Sequence, residues 1–102
     1  MELKLKVLWL KNFLGFAINQ EGLQTSYFLT SYYFWPKTEA WEQLNLELNS
    51  KPWIRDKDKI EILNLVTKVM NYWKQNRNKQ TLETFKNTFN QVEFIEFQEL
   101  GL

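Results

Sequence analysis

Cysteine and histidine are both missing from the 102 residues, and glycine and proline are scarce, at three and two. The first absence removes disulfides and thiolate nucleophiles. The second removes ordinary zinc and haem ligation and every imidazole-based acid–base device. The glycines, Gly15, Gly22 and Gly101, form no phosphate-binding loop, since neither the spacing nor a following Lys-Ser/Thr is present. No run approaches the roughly 18–20 apolar residues that cross a bilayer, so no membrane partner is expected. The start, Met1 to Lys6, alternates charged and apolar residues and lacks a signal-like apolar stretch. The expectation is a protein made where it works, or one whose leader has been removed.

What the chain has in excess is aromatic surface, 17% of all residues. The stretch "YYFWPKTEAWE", Tyr32 to Glu42, puts five aromatics and a proline into eleven positions. A chain of this length fits one domain and buries roughly 60–70 per cent of its unfolded surface, enough for one core built on large side chains. The net charge is only +1, but it is unevenly placed. Residues 1–79 carry 12 Lys/Arg against 8 Asp/Glu, and residues 80–102 carry 1 against 4. A mildly basic body with an acidic tail is compatible with a polyanionic partner without requiring one.

Leu3, Leu5, Val7 and Trp9 alternate with Lys4 and Lys6, the period of a half-buried strand. Phe13 to Asn19 predicts a second strand after a Lys11-Asn12 turn, and a third β segment falls within Tyr27 to Trp35. Alternation sends Tyr32 and Phe34 to one face and Tyr33 and Trp35 to the other. The period then becomes helical. Trp41, Leu44 and Leu48 make one stripe, with Thr38 as the expected N-cap. Asp58 and Glu61 fit a capping box opening a long helix to about Lys74, with Ile62, Val66, Val69 and Trp73 on its apolar stripe. Thr81 is the expected cap of a third helix carrying Leu82, Phe85, Phe89 and Val92; Val92 to Phe97 fits either its continuation or a strand. The pattern predicts an α+β fold: a small antiparallel sheet of about three strands, followed by two or three helices on one face.

Chemistry-bearing constellations are few. Asp56, Asp58 and Glu61 lack the further oxygen ligands and turn glycine of a calcium loop, and lysines interleave them, so no metal is expected. Ser26, Ser31 and Ser50 have no histidine to activate them, and no carboxylate pair is grouped for acid–base work. No catalytic residue, cofactor or small-molecule substrate is therefore assigned. Trp35, Trp41 and Trp73 read as core, whereas Trp53, following Pro52 in a loop between helices, either plugs the end of the sheet or meets a partner. Basic residues cluster around that loop (Lys51, Arg55, Lys57, Lys59) and at the end of the long helix (Lys68, Lys74, Arg77, Lys79). With a helix of about 27 Å between them, the two groups predict separate contacts.

Two blocks, "YYFWPKTEAWEQLNLELNSKPWI" (Tyr32 to Ile54) and "KIEILNLVTKVMNYW" (Lys59 to Trp73), together with "VLWL" (Val7 to Leu10), resemble the family of plastid-specific ribosomal protein three, which also occurs in cyanobacteria. The resemblance covers about residues 5 to 75. It departs from the family's pattern at Phe28, where a proline is usual ahead of Leu29-Thr30, and beyond Lys74 no family pattern is visible. The resemblance implies a non-catalytic component of the plastid small ribosomal subunit, located in the chloroplast stroma and contacting small-subunit ribosomal RNA and neighbouring ribosomal proteins. On that basis Lys51, Arg55, Lys57, Lys59, Lys74, Arg77 and Lys79 are the expected RNA contacts. Tyr32, Tyr33 and Trp53 are the expected protein contacts. Residues 1–75 form the expected family-like α+β domain, and 76–102 an acidic helical or extended extension. The alternative is a protein-binding module or ribosome-assembly factor of a photosynthetic cell that does not bind RNA directly.

Overall fold

The computed structural model describes residues 2–10, 12–76 and 82–96. The two alternating runs form antiparallel strands, β1 (Glu2–Trp9) and β2 (Leu14–Glu21), with Leu5 opposite Ile18 and Val7 opposite Phe16. That register places Leu5, Val7, Leu14, Phe16 and Ile18 on one face, and all five are buried.

The single β segment expected within Tyr27 to Trp35 is two short strands, β3 (Ser26–Phe28) and β4 (Tyr33–Trp35), both antiparallel to β2. Between them the Leu29 and Thr30 amides both donate to the Ile18 carbonyl, at 2.9 and 3.3 Å, and the Ile18 amide donates to Thr30 Oγ1 at 3.0 Å. Two residues thus answer one, the arrangement of a bulge, and the ladder is interrupted there. The peptide bond between Trp35 and Pro36 is cis.

Three helices follow: α1 (Ala40–Asn49), α2 (Asp56–Asn76) and α3 (Leu82–Thr88). Ala40, Leu44 and Leu48 of α1 and Ile62, Val66, Val69 and Trp73 of α2 all enter the core, as their spacing predicts. Both expected caps are corrected. Thr38 Oγ1 donates back to the Phe34 carbonyl at 2.7 Å, and α1 starts after Glu39 with no side-chain cap. α2 begins two residues ahead of Asp58, whose carboxylate takes the Arg55 guanidinium instead of capping an amide. In both cases a nearby donor or acceptor outcompetes the local capping bond.

The last segment is a strand, β5 (Glu93–Glu96), which lies parallel to β1 with Phe94 beside Val7. The α+β reading with helices on one face therefore holds. The sheet, however, has five strands rather than three and is mixed, in the order β3-β2-β1-β5 with β4 also on β2. A parallel partner needs a long crossover, and the helices supply it. Phe85 of α3 is fully buried and meets Trp9 and Tyr72 edge-on at 4.7 Å each, with Phe94 at 6.3 Å. The ring cluster joins β1, α2, α3 and β5 in one core.

The sheet face away from the helices carries Gly15 and Ala17 in β2, and Phe34 closes over Gly15 so tightly that a Cβ there would stand 2.9 Å from the ring and 3.2 Å from Leu8 Cβ. Phe13 packs edge-on against Phe34 at 5.8 Å. Two substitutions test this account by chemical denaturation. Phe85→Ala leaves a cavity at the junction of four elements and costs about 3–5 kcal/mol. Gly15→Ala overpacks the opposite face and costs about 1–3 kcal/mol; a neutral result for it would refute the close approach.

Candidate functional site

The basic residues around the Pro52 loop have unequal roles. Lys51 reaches back over the end of α1, its amine donating to the Glu47 carbonyl at 3.1 Å, a cation satisfying a helix C-terminus. Lys59 pairs with Asp56 at 3.8 Å and its side chain is only 12% exposed, so it presents little charge to a partner. Arg55 pairs with Asp58 at 2.9 Å yet keeps 72% of its side chain exposed. Lys57 is exposed and has no ion-pair partner among the described residues. Of the cations at this end of α2, Arg55 and Lys57 are therefore the ones open to solvent, and they flank the Asp56 carboxylate, which is 93% exposed.

Beside them stands an aromatic feature. Trp53 is 56% exposed, and its indole N–H donates to Gln20 Oε1 at 3.1 Å. Gln20 lies directly across from Tyr27 in the β2–β3 ladder, so both project from the same face. Tyr27 is 57% exposed. Two large rings thus flank one glutamine at the end of the sheet, next to the α2 N-terminus. Tyr27 and Gln20 were not among the expected contacts. Neighbouring positions in an extended segment put Tyr27 and Phe28 on opposite faces, but the register that sets Tyr27 beside Gln20 and Trp53 is a long-range property.

Tyr32 and Tyr33 lie on opposite faces, as alternation predicts. The Tyr33 hydroxyl is engaged with the Glu47 carboxylate, which holds its pKa above the ordinary tyrosine value, and Glu47 also accepts from the Ser31 amide at 3.2 Å. This carboxylate fastens the bulge to α1. Tyr32 is half-buried against Phe28 (6.0 Å), and burial raises its pKa too. Lys6 lies over the Phe28 ring at 5.3 Å and pairs with Glu93 at 3.1 Å. These contacts tie β1, β3, Tyr32 and β5 together on that side of the sheet, with Phe28 still 60% exposed. Trp41, expected in the core, is 37% exposed; its indole donates to the Leu63 carbonyl at 3.3 Å and latches α1 onto α2. The amphipathic ring packs its apolar body at the α1–α2 seam while its N–H reaches a backbone acceptor.

At the other end of α2, Lys74 is exposed and sits 5.9 Å from the Trp35 ring, which packs edge-on against Trp73 at 5.5 Å. Arg77 and Lys79 lie outside the described residues. The 21 residues of α2, about 32 Å of helix, keep the two basic ends apart. An open groove of about 500 Å³ between the start of β1 and α2 is lined by both signs of charge, including Glu2, Lys4, Asp58, Glu61 and Lys68. Among the described residues no three acidic side chains gather to hold a metal ion, and no helix is long and apolar enough to cross a membrane.

The Arg55 hydrogen bond holds Asp58 below its ordinary pKa. A carboxylate whose folded pKa is depressed contributes stability above the ordinary carboxylate range and loses it as pH falls through the folded value. The difference in stability between the wild type and Asp58→Asn should therefore narrow on acidification, read from thermal melts across the acid range. A difference that stays constant would show that the pair contributes nothing through charge.

Comparison with known proteins places these surfaces in context. Residues 29–76 match the model of the plastid and cyanobacterial ribosomal protein family (PSRP-3 / Ycf65). The chain is 40% identical over 90 residues to the small ribosomal subunit protein cS23 of Gracilaria tenuistipitata var. liui, covering 88% of this chain and 91% of that one. It is 47% identical over 74 residues to cS23 of Cyanidium caldarium, covering 72% and 73% of the two chains. It is 51% identical over 69 residues to the probable small ribosomal subunit protein cS23 of a Synechococcus strain, covering 68% and 70%. An alignment of 90 residues extends past the span of 5 to 75 expected from the motifs.

Proposed function

Because the chain belongs to the plastid and cyanobacterial ribosomal protein family, we propose that it is a non-catalytic, structural component of the plastid small ribosomal subunit, working in the stroma. The observation that carries this reading is similarity along almost the whole of a small-subunit relative, 91% of its length. In this reading the protein touches small-subunit ribosomal RNA at the α2 N-terminus through Arg55 and Lys57, with Lys51 and Lys59 beside them. A second contact lies at the far end of α2, through Lys74 and the residues Arg77 and Lys79. Phosphate contacts of this kind position a protein without reading sequence.

Two features support a peripheral seat governed by shape more than by charge. The net charge is only +1, and several cations are already committed to Glu47, Asp56 and Asp58. Neighbouring ribosomal proteins are the second class of partner, with Tyr32, Tyr33 and Trp53 as the proposed contacts. The commitment of Arg55 and Lys59 to intramolecular pairs also favours, to a lesser degree, an assembly factor that binds protein without RNA.

The test is sedimentation of gently lysed plastids. The protein should travel with small subunits, and neutralising Arg55 and Lys57 together should loosen it and flatten the dependence of its release on salt. A protein remaining at the top of the gradient would sink the reading. Retention with an unchanged salt dependence would move the contact away from these residues.

A further inference from the structure

Of the two exposed rings at this end of the sheet, Trp53 is held in place and Tyr27 is set beside it by strand register. The Trp53 indole is bonded to Gln20 across 33 positions of sequence, and Tyr27 is set beside Gln20 by the β2–β3 ladder. Each ring leaves more than half of its surface open, and neither is in ring contact with the other. Ordering the Trp53 indole in advance lowers the entropy lost when a flat ligand stacks on it. The chemistry next to the rings selects the ligand. Two exposed basic side chains follow Trp53 within four residues: Lys57, and Arg55, which keeps 72% of its side chain open beside its partner Asp58, with the exposed Asp56 between them. Rings for bases beside cations for phosphates is the composition of a single-strand binding surface.

We propose that Trp53 and Tyr27 stack unpaired bases of an RNA strand whose phosphates run along Arg55 and Lys57, with Gln20 as the positioning residue for Trp53. The proposal rests on the RNA reading above and deepens it, turning Trp53 from a protein contact into a base contact. A polypeptide partner is the competing occupant. It is less favoured because it has no need of exposed Arg55 and Lys57 side chains beside the rings.

The experiment compares two probes on the full chain by fluorescence anisotropy: a single-stranded oligoadenylate of about twelve nucleotides, within the usual site size, and an abasic ribose-phosphate strand of equal length. The wild type should bind oligoadenylate more tightly than the abasic strand. Trp53→Ala and Tyr27→Ala should each weaken oligoadenylate binding roughly tenfold and leave abasic binding unchanged. Trp53→Phe should keep most of the affinity, and Gln20→Ala should fall between. The salt slope should stay that of the wild type in Trp53→Ala, since no phosphate contact is lost. Both rings are exposed, so thermal melts of the variants should match the wild type.

Full oligoadenylate affinity in both ring variants, with weakened binding in Lys57→Ala, would keep the RNA reading and overturn the stacking proposal. Failure of the wild type to bind either strand would overturn the RNA reading along with it. Ring variants that bind oligoadenylate normally but leave the small subunit would assign the rings to a protein neighbour, and this too overturns the proposal.

Discussion

Everything in this fold is registered on β2. It pairs with β1 on one side and with both β3 and β4 on the other, and its buried residues alternate large toward the helices and small away from them. Leu14, Phe16 and Ile18 supply one half of the core, while Gly15 and Ala17 let the opposite face close under Phe34. A one-residue slip would send the large set into the aromatic face and the small set into the core, so the register is strongly specified. The helices follow from this. α1 and α2 bury their stripes against the face β2 defines, and the α2–α3 crossover then returns the chain as β5 beside β1.

The same register builds the surface. Gln20, two residues past Ile18 on the same face, emerges beyond the helices where it can reach Trp53, and its ladder partner Tyr27 comes with it. Ile54, buried next to Trp53, anchors the loop from below. Polar side chains do the fastening elsewhere: Glu47 ties the bulge to α1, Trp41 ties α1 to α2, and Arg55 holds the first turn of α2 through Asp58. These bonds lie at or near the surface. Each contributes only modestly to stability, the solvent-exposed Arg55–Asp58 pair least of all. Their larger consequence is geometric, since they limit how the loop at Pro52 and the bulge at Leu29 can move. The proposed ribosomal role asks for such a preset surface: a protein with little net charge gains less from diffuse attraction to RNA and more from fixed contacts.

Most of the core was legible in the sequence because burial follows periodicity. The stripe Ile62, Val66, Val69 and Trp73 and the alternation of β1 could be read directly and are found buried or half-buried as expected. Terminal details were less legible. Thr38 and Asp58 have the right chemistry for caps, but the Phe34 carbonyl and the Arg55 guanidinium are competing partners that spacing does not reveal. The parallel pairing of β5 depends on a contact between residues some 87 apart, and a short Glu-Phe-Ile-Glu run gives no sign of it. For the same reason basic residues were easy to find and hard to rank. Their number is a composition fact, whereas the burial of Lys59 and the freedom of Lys57 depend on where neighbouring acids fall. Tyr27 went unnoticed because its importance comes only from facing Gln20.

The central claim is that the end of the sheet bearing Trp53 and the N-terminus of α2 is the surface this ribosomal-family protein turns toward RNA. Zero-length ultraviolet crosslinking of intact plastid small subunits, followed by mass spectrometry of the nucleotide-bearing peptides, tests it most directly. The account predicts crosslinked nucleotides on peptides spanning Lys51 to Lys57 and on the peptide containing Tyr27. Crosslinks confined to the opposite sheet face around Phe13 and Phe34, or none on this chain within the subunit, would contradict it.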